Sequence, residues 1–288
     1  PSPNPVSGGA GSSLLKSSKI FIDFIESIAR DLPPESFSVK MRTGFDDTTH
    51  FDAAIEGIKQ IPMRQLTVHG RTRKDRYDGH ARWDLIEKAR AALPYPVVAS
   101  GDILSYKHWQ EKKALHPTLQ NVIIGRGALR NPWIFAELRE GGSLNLSKRS
   151  LVLALASFAQ ILELSYNAPE KLEALVKAGL FRGTCGVDEA SWEDLWRNLS
   201  EKAPTAIEVE RFAFGRTKMI WNSLRSSLPP EYFDPTLLRA KSAGEFLTAI
   251  ASRGEDAFGV KHAPEWDWLY TSSRIKPEPN LSEQKVPL

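Results

Sequence analysis

One cysteine in 288 residues, Cys185, leaves no second thiol to pair with, so the fold holds together without an internal disulfide. A lone thiol suits a reducing compartment and gives a cytoplasmic expectation. Long apolar runs are missing as well. None approaches the ~20 residues that span a bilayer, and the Ser/Gly/Pro-rich start lacks the basic flank and apolar core of a secretory signal. No His/Cys spacing resembles a zinc site, and no Walker-type phosphate loop occurs. Nor does one sign of charge dominate. With 38 Lys+Arg against 35 Asp+Glu the formal charge is +3, which permits nucleic-acid binding without demanding it. Clustering of the cations must carry that case.

What the chain does have is a rhythm. Four short apolar runs each end in polar residues and glycine: Phe37 to Gly44, Leu66 to Thr72, Val97 to Asp102, and Val122 to Gly127. Buried parallel strands look like this when functional groups sit at their C-terminal ends, the face on which a (β/α)₈ barrel keeps its active site. The pattern predicts strands over 37–42, 65–69, 96–99 and 121–124. Helices fall between them, at about 50–60, 82–92, 105–115 and 131–140. An earlier helix, with Ile20, Phe21, Phe24, Ile25 and Ile28 at helical spacing, ends at Pro33-Pro34. After Gly141-Gly142 only amphipathic helical stretches follow, at about 148–165, 169–179, 189–200, 205–227 and 235–252. The expected organisation is therefore an α/β domain over 1–142, an all-α domain over 147–252, and a tail over 253–288 that is disordered at its end.

The strand ends hold the candidate site. Lys40 and Arg42 close the first strand, where cations either snorkel at a rim or hold an anion. His69, beside Gly70, titrates near neutrality and can meet a cofactor or simply bond within the rim. Arg71, Arg73, Lys74 and Arg76 surround Tyr77, a mix that suits phosphate contact and base stacking, or a solvated loop. Ser100-Gly101-Asp102 and Gly125-Arg126-Gly127 follow the last two strands; their glycines let backbone N–H groups approach an anion, or only make tight turns. In the helical part Arg211, Lys218 and Arg225 recur every seven residues, with Arg216 among them, while Phe214, Trp221, Leu224 and Leu228 face inward. That stripe can hold an RNA backbone or be an ordinary solvated face. Cys185 lies outside the barrel and reads as structural.

Together, Val39-Lys40-Met41-Arg42-Thr43-Gly44-Phe45, Val68-His69-Gly70-Arg71-Thr72, Ala99-Ser100-Gly101-Asp102-Ile103 and Ile124-Gly125-Arg126-Gly127-Ala128-Leu129 resemble the tRNA-dihydrouridine synthase family, most closely its bacterial C-type members. The resemblance is strong over about residues 1–140. It continues loosely through Arg216-Thr217-Lys218 and Leu238-Arg239-Ala240-Lys241-Ser242. It implies the C-terminal half of a TIM (β/α)₈ barrel, strands five to eight, followed by the family's helical domain. It further implies FMN, with NADPH as reductant and tRNA as substrate, in a protein that is monomeric at full length and binds neither membrane nor metal.

In the implied reaction a hydride reaches C6 of a uracil and a cysteine protonates C5. Carried over, Lys40 and His69 contact the flavin, Ser100, Gly101 and Asp102 line its phosphate and ribitol, and Gly125 with Arg126 closes the phosphate site. Arg71 faces the flavin or the nucleotide, and Arg73, Lys74, Arg216, Lys218 and Arg225 face tRNA. The chain departs from the family in three ways. Ser100 stands where an asparagine is common, and the segment from Glu163 to Ala206 is longer than expected. No catalytic residue lies in the chain, because the family's cysteine would directly precede Pro1 and four further strands would precede it, so the chain alone is expected to be inactive. Two other readings stay open: an RNA-binding remnant without catalysis, and an FMN-barrel oxidoreductase acting on a small molecule.

Overall fold

The computed structural model describes residues 9–180, 189–200, 209, 211–225 and 228–259. Pro1, Ser2, Cys185 and the expected disordered tail lie outside the described residues. The chain forms two compact units: the first holds the described residues up to Ile103 and His108–Gly125, the second Leu104–Lys107 and the described residues from Arg126 onward.

The first unit is a four-stranded parallel sheet in the order β1 (Ser38–Arg42), β2 (Gln65–His69), β3 (Val97–Ser100), β4 (Val122–Ile123). Helices α1 (Ser18–Asp31), α2 (Phe51–Gly57), α3 (Trp83–Ala92) and α4 (Tyr106–Leu115) alternate with the strands, and the first two residues of α4 belong to the second unit. α1 stops short of Pro33-Pro34, whose rings cannot continue a helix. The two faces of the sheet differ. Met41, Leu66, Val68, Val97 and Ala99 are buried on one face; Ser38, Lys40, Arg42, Gln65, His69 and Ser100, together with buried Thr67 and Val98, alternate onto the other. β1 is thus one-faced, while β2 and β3 each bury three consecutive residues, as strands covered on both sides do. β4 has only two residues where the sequence suggests four. Among the described residues, β1 and β4 each pair on one side only.

The second unit is mainly helical: α5 (Arg126–Arg130), α6 (Ile134–Glu140), α7 (Lys148–Asn167), α8 (Pro169–Lys177), α9 (Glu189–Ser200), α10 (Arg211–Leu224) and α11 (Ala243–Ala251). The helix expected at about 131–140 is α6, starting at Ile134; the short α5 before it has no counterpart in the sequence reading, and 235–252 divides into a 3-10 turn at Pro235–Arg239 followed by α11. A two-stranded antiparallel ribbon, β5 (Asn145–Ser147) with β6 (Ala257–Gly259), has no counterpart in the sequence reading, because three-residue strands carry too little period to read. Ends are set locally. Gly141 closes α6 with φ 73°, a left-handed turn that costs glycine nothing. Ser147 caps α7 by accepting the Ser150 N–H, and Ser242 caps α11 by accepting that of Glu245.

By length and composition α7 is apolar enough to cross a membrane, which the sequence reading expects of no run in the chain. It is the central helix of this unit, with half of its most apolar window buried inside the protein. It carries Leu151, Leu155 and Ala159 into one core and Leu164 into a second. The main core is aromatic: Trp221, Tyr232 and Phe246 are fully buried, with Trp221 edge-on to Phe246 at 5.6 Å and to Tyr232 at 6.0 Å. The second, smaller core joins Leu175, Leu180, Leu195 and Leu199 of α8, α9 and the turn after α8 to Leu164. The described part of the long 163–206 segment therefore has a packing role. Glu137 of α6 is buried, and its carboxylate accepts Asn131 Nδ2 (2.9 Å) and the backbone N–H groups of Tyr106 and Leu144 (each 3.3 Å).

Candidate functional site at the strand ends

Strand register aligns the site residues. In the parallel ladder Arg42 is opposite His69, His69 opposite Ser100, and Ser100 opposite Ile123, so the C-terminal ends form one row. Period-two alternation puts Lys40, Arg42, His69 and Ser100 on the same polar face. A cleft of about 620 Å³ runs along the free edge of β1, lined by Lys40, Arg42, His69 and Tyr77 on its polar side and by Leu15, Phe21 and Ile25 on its apolar side. Its volume and its apolar lining with a few polar groups lie within the range of small-molecule sites.

The cations of this row act on its histidine. Burial first, then the charges of Arg42, Arg71 and Lys40, lower the His69 pKa from 6.5 to about 4, with Asp102 pulling weakly the other way. His69 is therefore a neutral imidazole at pH 7. Burial and the Arg42 charge also lower the pKa of Lys40. A group of positive charges that repel one another calls for an anion or an electron-rich ring beside them. The sign of the His69 effect gives a testable slope. Its folded pKa lies below the unfolded one, so the unfolded chain binds more protons between them; stability falls as pH drops from about 6.5 to about 4. At ~1.36 kcal/mol per pH unit, and with the ring partly solvated, the loss is about 2–3 kcal/mol. Urea midpoints at pH 7 and 4.5 should differ less in His69→Asn than in the parent; equal differences would refute the assignment.

The loops beyond the row are tied to each other. Thr43 N–H donates to Arg71 O, Arg73 N–H to Gly44 O and Lys74 N–H to Phe45 O, so the loop after β2 runs alongside the loop after β1. Arg42 Nη1 donates to the carbonyls of Thr72 (2.8 Å) and Arg76 (3.2 Å), and Arg76 takes the left-handed φ of 51°, rare for a bulky residue. Thr72 and Asp75 exchange backbone-to-side-chain hydrogen bonds, and Arg82 pairs with Asp75 at 2.5 Å. The net result exposes Tyr77 at the cleft edge, half of its surface open. Arg73 lies over the Phe45 ring at 5.0 Å, and Lys74 is exposed.

Arg71 is placed otherwise than a cation that faces a ligand would be. It is 1% exposed. Its guanidinium grips the Asp102 carboxylate with two bonds (2.9 and 2.6 Å) and donates to the Gly79 carbonyl at 2.6 Å. Asp102 also accepts the Ala81 N–H at 3.1 Å. The two residues clamp the loop after β2 to the loop after β3.

The glycines divide by role. A Cβ on Gly101 would come within 2.9 Å of Ala81 Cβ and 3.0 Å of Trp83 Nε1, so this glycine is required by the segment packed against it. Trp83 Nε1 is buried there without a hydrogen-bond partner. A Cβ on Gly125 would meet nothing within 4 Å, leaving its backbone open to a ligand. Gly125 ends the first unit and Arg126 opens α5 in the second, where it is exposed.

The basic stripe of α10 forms only in part. Phe214, Trp221, Leu224 and Leu228 are buried as its phase predicts, and Arg211 and Arg216 are exposed. Lys218 instead turns its ammonium to the carbonyls of Leu238 (3.4 Å) and Ala240 (3.3 Å) and lies over Phe214 at 4.4 Å. Arg225 is partly buried. Sequence reasoning missed Asp75 and Arg82 as supports of the row, since nothing in their spacing marks the loop they brace. Among the described residues no three His, Cys, Asp or Glu side chains cluster as metal ligands would.

Comparison with known proteins matches residues 1–176 to the family described as Dihydrouridine synthase (Dus). Similar proteins include a probable tRNA-dihydrouridine synthase of Rickettsia conorii, 35% identical over 144 residues, which are 48% of this chain and 41% of the relative. A tRNA-dihydrouridine synthase B of Pseudomonas syringae is 37% identical over 133 residues, 45% of this chain and 38% of the relative. A tRNA-dihydrouridine(47) synthase [NAD(P)(+)]-like protein of Arabidopsis thaliana is 33% identical over 138 residues, 47% of this chain and 20% of the relative. The matched segment thus spans about two fifths or less of each relative.

Proposed function

Because the chain belongs to the dihydrouridine synthase family, we propose that it serves the reduction of a uridine C5–C6 double bond in tRNA to 5,6-dihydrouridine, with FMN as cofactor and NADPH as reductant. The observation that carries this reading is the aligned row of Lys40, Arg42, His69 and Ser100 with its neutral imidazole. The names of the relatives support tRNA as substrate, and one of them names a nicotinamide. The single cysteine agrees with a cytoplasmic site of action.

The residues present fit FMN. Lys40 and Arg42 supply positive charge where a phosphate or an electron-rich ring would sit. Gly125 leaves its backbone open to a ligand. FMN bound there would supply the hydride for C6 of the uracil. His69, neutral, could donate or accept a hydrogen bond to the flavin without adding charge, and Lys40 and Arg42 would place positive charge beside it. The Arg71–Asp102 clamp holds the loops around the site still rather than touching the ligand. Tyr77 at the cleft edge offers a ring face to the incoming base.

Flavin titration tests this directly. The full chain should quench FMN fluorescence, and Lys40→Met should weaken binding at least tenfold with an unchanged melting temperature. If the parent leaves flavin fluorescence untouched, the cofactor assignment fails. Mass spectrometry of tRNA from cells carrying the gene, compared with cells lacking it, should show a gain of two hydrogens at one uridine; no such gain would refute the activity.

A further inference from the structure

The helical unit carries an exposed cluster that no step of the reaction uses. Tyr166, in the last turn of α7, is 58% exposed, and Phe212, in the first turn of α10, is 48% exposed. Their rings meet edge to face at 4.3 Å. The Arg216 guanidinium lies over the Phe212 ring at 5.3 Å, with its Nη1 3.9 Å from Met219 Sδ, and Met219 is 61% exposed. Arg211 is exposed beside Phe212. Neither Arg211 nor Arg216 has a carboxylate partner among the described residues.

Single exposed apolar residues need no explanation. Two aromatic rings and a thioether gathered around an arginine that stacks instead of pairing are a different matter. The rings offer π-faces and the guanidinium offers both a plane and a charge, which together match a base and its phosphate. A purely apolar protein partner would leave Arg211 and Arg216 desolvated and uncompensated, an expensive arrangement. The basic sign of the rim selects a polyanion.

We propose that Tyr166, Phe212 and Arg216 form a stacking platform for an unpaired nucleotide of the bound RNA, with Arg211 on its phosphate. This rests on the reading of tRNA as substrate and adds a contact of a different kind from backbone neutralisation. The platform reads an RNA by whether a base is unstacked and free, not by its identity.

The test is fluorescence anisotropy of labelled tRNA with the full chain, over a range of salt concentrations, for the parent and for Tyr166→Ala, Phe212→Ala, Arg216→Gln and Arg211→Gln. Stacking predicts that each aromatic variant loses about tenfold in affinity with the salt slope unchanged. Arg216→Gln should lose affinity, and Arg211→Gln should in addition flatten the slope by about one ion. Melting curves of the aromatic variants should match the parent, since both rings are on the surface. If the parent binds tRNA and the aromatic variants bind equally well, the platform is refuted while the tRNA reading stands. A loss in Phe212→Ala accompanied by a flatter salt slope refutes stacking as its cause. If the parent binds no tRNA, the reading of the substrate fails and the platform with it. If instead Phe212→Ala converts a dimer of the parent to a monomer, the patch is a protein contact and the proposal is overturned.

Discussion

Arg71→Ala should lower the unfolding midpoint by roughly 10 °C. Removing one partner of a buried ion pair strands the other, at a cost of about 3–5 kcal/mol, and a chain of this size loses about 2–4 °C per kcal/mol. The stranded group is the Asp102 carboxylate, which loses both guanidinium bonds and keeps the Ala81 N–H. Asp102→Ala should cost as much, because it leaves a guanidinium buried with only the Asp78 and Gly79 carbonyls. The double variant Arg71→Met/Asp102→Leu should recover much of the loss, since an apolar pair of similar volume strands no charge. Differential scanning calorimetry of the four proteins closes the cycle. Additive losses in the double variant would show that the two side chains do not act as a pair.

Trp221→Ala should be equally damaging in the helical unit, at about 3–5 kcal/mol, because a fully buried indole is replaced by a void that Tyr232 and Phe246 cannot fill from fixed edge-on positions. The companion variant identifies the cause. Trp221 Nε1 is buried without a hydrogen-bond partner, so Trp221→Phe gives up no polar contact and should cost far less, about 1–2 kcal/mol. Chemical denaturation followed by circular dichroism reads both. If Trp221→Phe were as destabilising as Trp221→Ala, the indole N–H would be holding something, and the packing explanation would fail.

The strands and the row they present are legible in the amino-acid order alone, for a physical reason. Parallel strands are short, dense in β-branched residues and closed by glycine, so 65–69 and 96–99 announce themselves within one residue of β2 and β3. Lys40 and His69 stand out because a charged or titratable residue within a short apolar run is uncommon. What the sequence conceals is how those residues are spent. Arg71 and Asp102 are separated by 31 positions, and no local pattern says that one neutralises the other; each reads as an open functional group. Lys218 misleads in the same way. Its seven-residue spacing is real, but the neighbouring 3-10 turn leaves carbonyls pointing at it, and the ammonium goes there. The site supports Asp75 and Arg82 are invisible because bracing a loop requires no motif.

Glu137 changes how the molecule can be taken apart. By holding the Tyr106 N–H, its carboxylate recruits the short stretch Leu104–Lys107 to the helical unit, while the chain on both sides of that stretch belongs to the sheet unit. The backbone thus passes between units at Ile103, at Lys107 and again at Gly125. A single cut after β4 would therefore not release two whole pieces. It would leave the helical half short of four residues, with one donor fewer on a buried carboxylate. Excising either unit cleanly calls for a permuted chain or a replacement for that stretch.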